Sequence, residues 1–201
     1  MPRSIITLLI ILLTSSERVT AGDTHAVLGK DTQALALSDL EGKQRTPLAT
    51  SGLKGAVLVF VTHDCPVSNA YSPELKRLNQ KYSKLNFGFT LVYVDPDVKP
   101  AVLLAHRKEY GLNAINSIHD TKHQLVTATG AKVTPEAVLI IHGGRIAYRG
   151  RIDNLYADYG KRRRAATVRD LRNALDAVLA GKPVTSPRTE AIGCFISLLK
   201  K

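Results

Sequence analysis

The chain has 201 residues, the length of one domain with terminal extensions, which excludes a large multidomain protein. Hydrophobic residues make up 44% and charged residues 22% of it, and this ordinary globular composition excludes collagen-like and disordered chains. Two cysteines are too few for a dense disulfide framework, a four-thiolate zinc site or an iron–sulfur cluster. The formal net charge of +11 favours acidic partners or anionic surfaces.

The N-terminus has the three-part pattern of a secretory signal peptide. Arg3 precedes an apolar run from Ile5 to Leu13, and a polar stretch then ends at Ala21. An apolar helix of about nine residues would span only about half of a bilayer's hydrocarbon thickness, so a stable membrane span is not expected. The alternatives are an uncleaved anchor and a buried N-terminal helix.

We therefore divide the chain into a signal peptide at 1–21, one domain at 22–182 and a C-terminal tail at 183–201. Cleavage near Ala21 would deliver the protein to the periplasm or the extracellular space, where disulfides are allowed. The mature part would keep a net charge of +10. No zinc-finger or RNA-binding signature is present, so we expect no nucleic-acid partner, and the charge is compatible with transient contact with an anionic membrane surface.

Strands and helices alternate along the domain. Buried strands are predicted from the apolar runs 56–61 and 87–94, and a shorter strand with a turn from 35–43. Helices are predicted at 67–82, where apolar residues recur every three or four positions, and at 100–110, 120–129 and 167–179. A hairpin is predicted from strands at 137–141 and 145–148 around Gly143-Gly144. The basic run 161–164 is predicted to be a solvated loop.

This order predicts a mixed α/β fold, with a central sheet covered by helices on both faces and an ending of hairpin then helix. Cys65 falls between the first buried strand and Pro66, a residue suited to the first position of a helix. A sulfur at a helix N-terminus is favoured as thiolate, which is the nucleophilic form. The alternative is a buried, inert cysteine.

Around Cys65 the sequence resembles the thioredoxin-like redoxins, which include thioredoxins, exported thiol–disulfide oxidoreductases and the alkyl hydroperoxide reductase/thiol-specific antioxidant peroxiredoxins. The resemblance covers about residues 30–182. The segment 65–68 is similar to a redox C-x-x-C site whose second cysteine is replaced by Ser68. Pro73 stands where thioredoxins place a helix-kinking proline, and Val133-Thr134-Pro135 is similar to their cis-proline turn, followed by the usual hairpin and helix.

The resemblance implies a thioredoxin-like fold in which Cys65 attacks a disulfide or thiol of a partner protein. Pro66 and Ser68 would then support the site, and the backbone of Thr134 and Pro135 would accept an extended partner strand. Because Ser68 cannot form a disulfide, the second thiol would be Cys194, which lies in an apolar patch of the tail. The alternatives for Cys194 are a permanent bridge to Cys65 that adds about 4 to 5 kcal/mol, a bond to another chain, and an unreactive thiol.

Peroxide is the alternative substrate. Thr62 lies three residues before Cys65, as in the peroxiredoxin pattern, where this threonine helps to hold the peroxide. Leu58 stands where that pattern has proline, and the arginine expected near the strand after Pro135 is absent, although Arg149 or Arg151 could replace it in space. The resemblance therefore favours the oxidoreductase over the peroxidase.

No cofactor or metal is expected. His119 and His123 have helical spacing but lack an evident third ligand. His63, two residues before Cys65, could bind copper beside it, which leaves a copper or thiol chaperone, or a redox-silent binding domain, as the non-enzymatic alternative.

Overall fold

The computed structural model describes residues 26–197 and 199, so the predicted signal peptide lies outside the described residues. The strands are β1 (Leu37–Ser38), β2 (Gln44–Arg45), β3 (Gly55–Val61), β4 (Phe87–Tyr93), β5 (Asn116–His119), β6 (Val133–Thr134), β7 (Glu136–Ile141), β8 (Arg145–Gly150), β9 (Tyr156–Asp158), β10 (Lys161–Arg162) and β11 (Cys194–Phe195). The helices are α1 (Lys30–Gln33), α2 (Pro66–Ala70), α3 (Ser72–Ser83), α4 (Pro100–Glu109), α5 (Gln124–Thr129) and α6 (Asp170–Leu179).

The central sheet has five strands in the order β5-β4-β3-β7-β8. β3, β4 and β5 are parallel, whereas β7 and β8 run antiparallel to their neighbours. The predicted mixed sheet is therefore confirmed. Because β7 runs against β3, it begins at the edge where β3 ends, and this brings the turn before β7 close to the residues that follow β3.

Both faces of the sheet are covered, as the apolar runs predict. Along β3, Val57, Val59 and Val61 point into one cluster with the side chains of α2, α3, α4 and α6. The alternate residues point into a second cluster, which α5 and the N-terminal part of the domain cover. A strand buried on both faces needs no alternation of apolar and polar residues, which explains the continuous apolar sequence of β3.

The prediction of a single helix after Cys65 is wrong, because the chain forms two helices, α2 and α3, that meet at Tyr71. Pro73 lies in the first turn of α3 and has no N–H to donate to the carbonyl four residues earlier. The apolar positions of the predicted stripe are nevertheless all buried: Val67, Tyr71, Leu75, Leu78 and Tyr82.

Two helices begin later than predicted. α5 starts at Gln124, and the Asp120 carboxylate accepts hydrogen bonds from the backbone N–H groups of the first three helical residues. α6 starts at Asp170, because the Asn154 side chain accepts hydrogen bonds from the N–H groups of Thr167 and Val168 and holds them in a loop. At α5 the carboxylate satisfies N–H groups that the end of a helix leaves unpaired, whereas the N–H groups bound by Asn154 belong to the loop before α6.

Three other predictions need correction or addition. The strand predicted at 35–40 is only two residues long, in β1. The basic run 161–164 is exposed as expected, but its first two residues form β10, a short ribbon with β9. The strand β5 was not predicted. None of the helices within residues 26–197 is long and apolar enough to cross a membrane.

Within the described residues, the C-terminal tail lies along the domain and forms hydrogen bonds with it at two places. Near its start, the N–H of Arg149 donates to Pro187, and the N–H of Thr189 donates to the carbonyl of Arg149, which extends the edge of β8. Further on, β11 pairs antiparallel with β6, so that Cys194 faces Thr134 in the ladder. The tail thereby brings the second cysteine to the edge of the sheet where β3 ends.

Candidate active site

Cys65 lies at the N-cap of α2, directly after β3. Its backbone is extended and Pro66 occupies the first turn of the helix, so the chain turns from strand to helix at the cysteine. The Sγ atom accepts a hydrogen bond from the N–H of Ser68 at 3.5 Å. Cys65 is only 2% exposed, so its sulfur faces the protein and not the solvent.

The turn before β7 forms the wall opposite this sulfur. The Thr134–Pro135 peptide bond is cis, as the resemblance implies. The Cys65 thiol donates to the carbonyl oxygen of Thr134 at 3.3 Å, and the Thr134 hydroxyl donates to the carbonyl of Cys194 at 3.4 Å. Thr134 therefore contacts both cysteine residues.

The two cysteines meet although 129 residues separate them in the sequence. Their Sγ atoms are 2.8 Å apart, and both residues are free thiols. The pairing of β11 with β6 sets the position of Cys194, because its carbonyl is fixed by Thr134 and the N–H of Ile196 donates to Lys132 at 3.0 Å. Formation of a disulfide would therefore require only a small movement of one side chain.

The two thiols ionise at different pH values. Burial works to raise the pKa of Cys65, but the hydrogen bonds from Cys194 and from the N–H of Ser68 outweigh it, and the pKa is lowered. Burial, the hydrogen bond to Cys65 and the negative charges of Cys65 and Asp64 raise the pKa of Cys194 to about 12. The pair shares its protons, so the first one lost leaves thiolate on Cys65 and a thiol donor on Cys194.

A pH titration of the thiolate absorbance at 240 nm, referenced to Cys65→Ser, should place the Cys65 midpoint below its ordinary value of 9.0. The thiolate forms at lower pH than in a free cysteine because its hydrogen-bond donors stabilise the charge. In Cys194→Ala the strongest donor is lost while the burial largely remains, so the midpoint should rise. Cys194→Ser keeps a hydroxyl donor, so its Cys65 midpoint should lie between those of the natural protein and Cys194→Ala. A midpoint that stays the same in Cys194→Ala would show that this hydrogen bond does not control the pKa.

The other predicted support residues have less direct contacts. Ser68 is 3% exposed, its backbone N–H donates to the Cys65 sulfur at 3.5 Å, and its side chain also helps to lower the pKa of Cys65. Pro66 begins α2. Thr62 is half-buried at the end of β3 and is not among the hydrogen-bond partners that the described structure gives the Cys65 sulfur.

The two arginines considered for peroxide binding are engaged elsewhere. Arg149 donates to the carbonyl of Thr129 at 2.9 Å and lies 3.6 Å from the Glu136 carboxylate. Arg151 forms a charged pair with Asp170 at 2.7 Å. Within the described residues, neither guanidinium is a hydrogen-bond partner of Cys65.

Within residues 26–197, no histidine lies with a cysteine in a group of three potential metal ligands. His119 and His123 are not on a helix, contrary to their spacing, and each ring contacts a backbone carbonyl, of Asp95 and Val94 respectively. In the described part of the chain, His63, Asp64 and Asp95 alone bring three potential ligand atoms together, and neither cysteine belongs to that group. His63 instead contacts the Asp95 carboxylate at 3.2 Å.

Sequence reasoning missed Gly193. A Cβ atom on this residue would lie 2.0 Å from the carbonyl oxygen of Thr134 and 2.7 Å from its carbonyl carbon, so any side chain would push the tail away. A glycine directly before a cysteine in an apolar patch is the signal that could have indicated a close backbone approach.

The sheet order, the strand–Cys–Pro–helix turn and the cis-proline turn facing the sulfur together define a thioredoxin-like fold. The chain belongs to the Redoxin family, whose family model matches residues 25–163.

Solved structures share this fold, and a curated protein is similar to part of the sequence. A hypothetical protein from Sinorhizobium meliloti 1021 is 26% identical with a TM-score of 0.73, over 88% of this chain and 97% of that one. A secreted disulfide oxidoreductase from Mycobacterium tuberculosis is 18% identical with a TM-score of 0.52, over 76% and 99%. Probable nucleoredoxin 1 from Arabidopsis thaliana is 29% identical over 79 residues, which is 39% of this chain and 12% of that protein's length.

Proposed function

We propose that this protein is an exported thiol–disulfide oxidoreductase in which Cys65 is the nucleophile and Cys194 the resolving thiol. The observation that carries the proposal is the 2.8 Å contact between the two sulfurs, with Cys65 at a helix N-cap beside a cis-proline turn. A purely structural cysteine pair would not need the lowered pKa of Cys65. The similarity to a probable nucleoredoxin and the fold shared with a secreted disulfide oxidoreductase support the same function.

The reaction takes two exchanges. The Cys65 thiolate attacks one sulfur of a partner's disulfide, the partner's S–S bond breaks, and its electron pair leaves on the partner's other sulfur. Cys194 loses its proton and attacks the Cys65 sulfur of the mixed disulfide, which expels the second partner thiolate. The protein is then oxidised by two electrons as a Cys65–Cys194 disulfide, and the partner is reduced. The same steps run backwards when the protein oxidises a dithiol.

The lowered pKa of Cys65 and the raised pKa of Cys194 suit these two roles. At neutral pH the nucleophile has the larger thiolate fraction, while the resolving thiol remains protonated until it is needed. Peroxide reduction has less support, because the arginines near the site contact Thr129, Glu136 and Asp170 and not the sulfur.

Export rests on the pattern of residues 1–21 and suits a function that forms and breaks disulfides. The partners would be exported proteins that carry a disulfide or a dithiol. The net charge of the mature protein favours acidic partners among them.

The test is a redox titration of the purified protein in glutathione buffers of stepped potential, followed by alkylation and a non-reducing peptide map. We expect the Cys65–Cys194 disulfide to open and close above about −250 mV, since structural disulfides open below about −300 mV. The oxidised protein should also accept electrons from reduced insulin chains, or the reduced protein should reduce insulin. A bond that never opens, or two thiols that never pair, would contradict the proposal.

A further inference from the structure

The two sulfurs of the site differ in how they can be reached. Cys65 is buried under the tail, whereas Cys194 is partly exposed. Beside Cys194 lies an open cleft of about 990 Å³, bounded by Lys132 and Val133 on one side and by the tail on the other. Cys194 and the exposed ring of Phe195 line this cleft, and Cys65 does not.

The difference in exposure between the two sulfurs matters when they are joined in a disulfide. Thiol–disulfide exchange requires the attacking sulfur to approach one particular sulfur of the disulfide. With the tail docked on β6, the Cys65 side of the bond faces Thr134 and α2, so a reagent from solvent meets Cys194 first. Resting on the function proposed above, we infer that a small anionic thiol enters through this cleft and reduces the protein by attacking the sulfur of Cys194.

The step balances as follows. The thiolate of the small molecule forms a bond to Cys194 Sγ, the Cys65–Cys194 bond breaks, and its electron pair stays on Cys65 as thiolate. The thiolate of a second molecule attacks the small molecule's sulfur in the mixed disulfide, the bond from that sulfur to Cys194 Sγ breaks, and Cys194 leaves as a thiolate that takes a proton from water. The protein gains two electrons, and two small thiols become one small disulfide.

Attack on Cys194 makes the Cys65 sulfur the leaving group, and Cys65 is the better leaving group of the two. Exchange is faster when the departing sulfur is the more acidic of the two. The hydrogen bond from the N–H of Ser68 to Cys65, made at the N-cap of α2, is available to the departing thiolate. The lowered pKa of Cys65 and the raised pKa of Cys194 agree with this direction.

The charges of the cleft indicate the class of thiol. Six charged residues line it: Lys132, Glu136, Arg149, Asp158, Arg188 and Glu190. Glu136 lies against Arg149 and Asp158 against Lys161, so these charges are balanced. Within the described residues, Lys132, Arg188 and Glu190 have no ion pair, which leaves an excess of one positive charge.

Arg188 adds to this preference for an anion. Partial burial and the neighbouring Arg149 guanidinium lower the pKa of Arg188, because a second positive charge is unfavourable there, and the Glu136 carboxylate only partly offsets this effect. A carboxylate bound beside Arg188 in this cleft, which Lys132 also lines, would offset the positive charge of the two arginines. A thiol that carries carboxylates, with glutathione as the probe, therefore suits the cleft better than a cationic thiol such as cysteamine.

The site of attack can be read directly. The oxidised protein is mixed with excess glutathione, quenched with acid at intervals from milliseconds to an hour, alkylated and mapped by mass spectrometry. We expect glutathione on Cys194 and the alkylating agent on Cys65. Glutathione on Cys65 would overturn the inference while leaving the proposed function intact. An intact disulfide with glutathione on neither residue would overturn both.

The charge preference is tested with a double variant, Lys132→Glu with Arg188→Glu. The ratio of the reduction rates by glutathione and by cysteamine should fall about tenfold, because both reversals act on the same bound anion. The matched control is Lys54→Glu with Lys84→Glu, two exposed lysines at the opposite end of β3, which should leave the ratio unchanged. An unchanged ratio in the cleft variant, or an equal fall in the control, would overturn the anionic class of the thiol.

Discussion

Replacing Cys65 with serine should reduce the rate of insulin reduction to that of the buffer alone, and no partner should be trapped covalently. The serine hydroxyl is not ionised at neutral pH and cannot form the mixed disulfide, so the first exchange has no nucleophile.

Replacing Cys194 with serine should instead increase the amount of partner that is held covalently. The mixed disulfide on Cys65 should accumulate, and turnover should fall more than about a hundredfold, because an external thiol must replace a neighbouring one.

The contrast between the two variants is the informative measurement, made by non-reducing electrophoresis and mass spectrometry of trapped complexes. Far-ultraviolet circular dichroism of both variants controls for folding. Equal activity of Cys65→Ser and the natural protein would exclude Cys65 as the nucleophile. Full turnover of Cys194→Ser without an added thiol would exclude Cys194 as the resolving residue.

Replacing Gly193 with alanine should uncouple the two cysteines without removing either thiol. The new Cβ would stand 2.0 Å from the backbone oxygen of Thr134, an atom held in the ladder between β6 and β11, so the tail must leave its place. The Cys65–Cys194 disulfide should then become less stable, and its midpoint should move by at least about 60 mV toward oxidising potentials, a hundredfold change in the equilibrium constant. The same redox titration measures this shift.

Gly29→Ala is the matched control for this change. Gly29 has an ordinary negative φ, and a Cβ there would meet its nearest atom at 4.0 Å. This variant should keep the midpoint of the natural protein. If Gly193→Ala also kept it, the close approach of the tail to Thr134 would not be what holds Cys194 at the site.

The sequence was sufficient where one residue pattern determines one structure. The apolar runs at 56–61 and 87–94, rich in β-branched and aromatic residues, favour strands buried on both faces, and both form central strands. Pro66 after such a run placed Cys65 at a strand-to-helix turn. The spacing of apolar residues after Val67 predicted the buried face correctly, even though the helix breaks at Tyr71.

The sequence was insufficient where distant backbone groups decide the structure. β5 has the sequence Asn-Ser-Ile-His and owes its place to pairing with β4, not to its own apolar pattern. The start of α5 depends on how far the Asp120 carboxylate reaches. β11 is two residues long and pairs with a strand 60 positions earlier, so no local signal could show that Cys194 would meet Cys65.

The pairing of the tail with β6 also makes the protein's own chain a competitor for its partners. By the resemblance, a partner's extended strand would bind at Thr134 and Pro135, where β11 lies. A tethered segment such as β11 acts at an effective concentration of about a millimolar. A partner's strand at micromolar concentration must therefore bind β6 far more tightly than β11 does, or bind while the tail is detached. Abundant, weakly binding peptides would therefore be rejected, and the same tether would hasten release once a partner is held covalently.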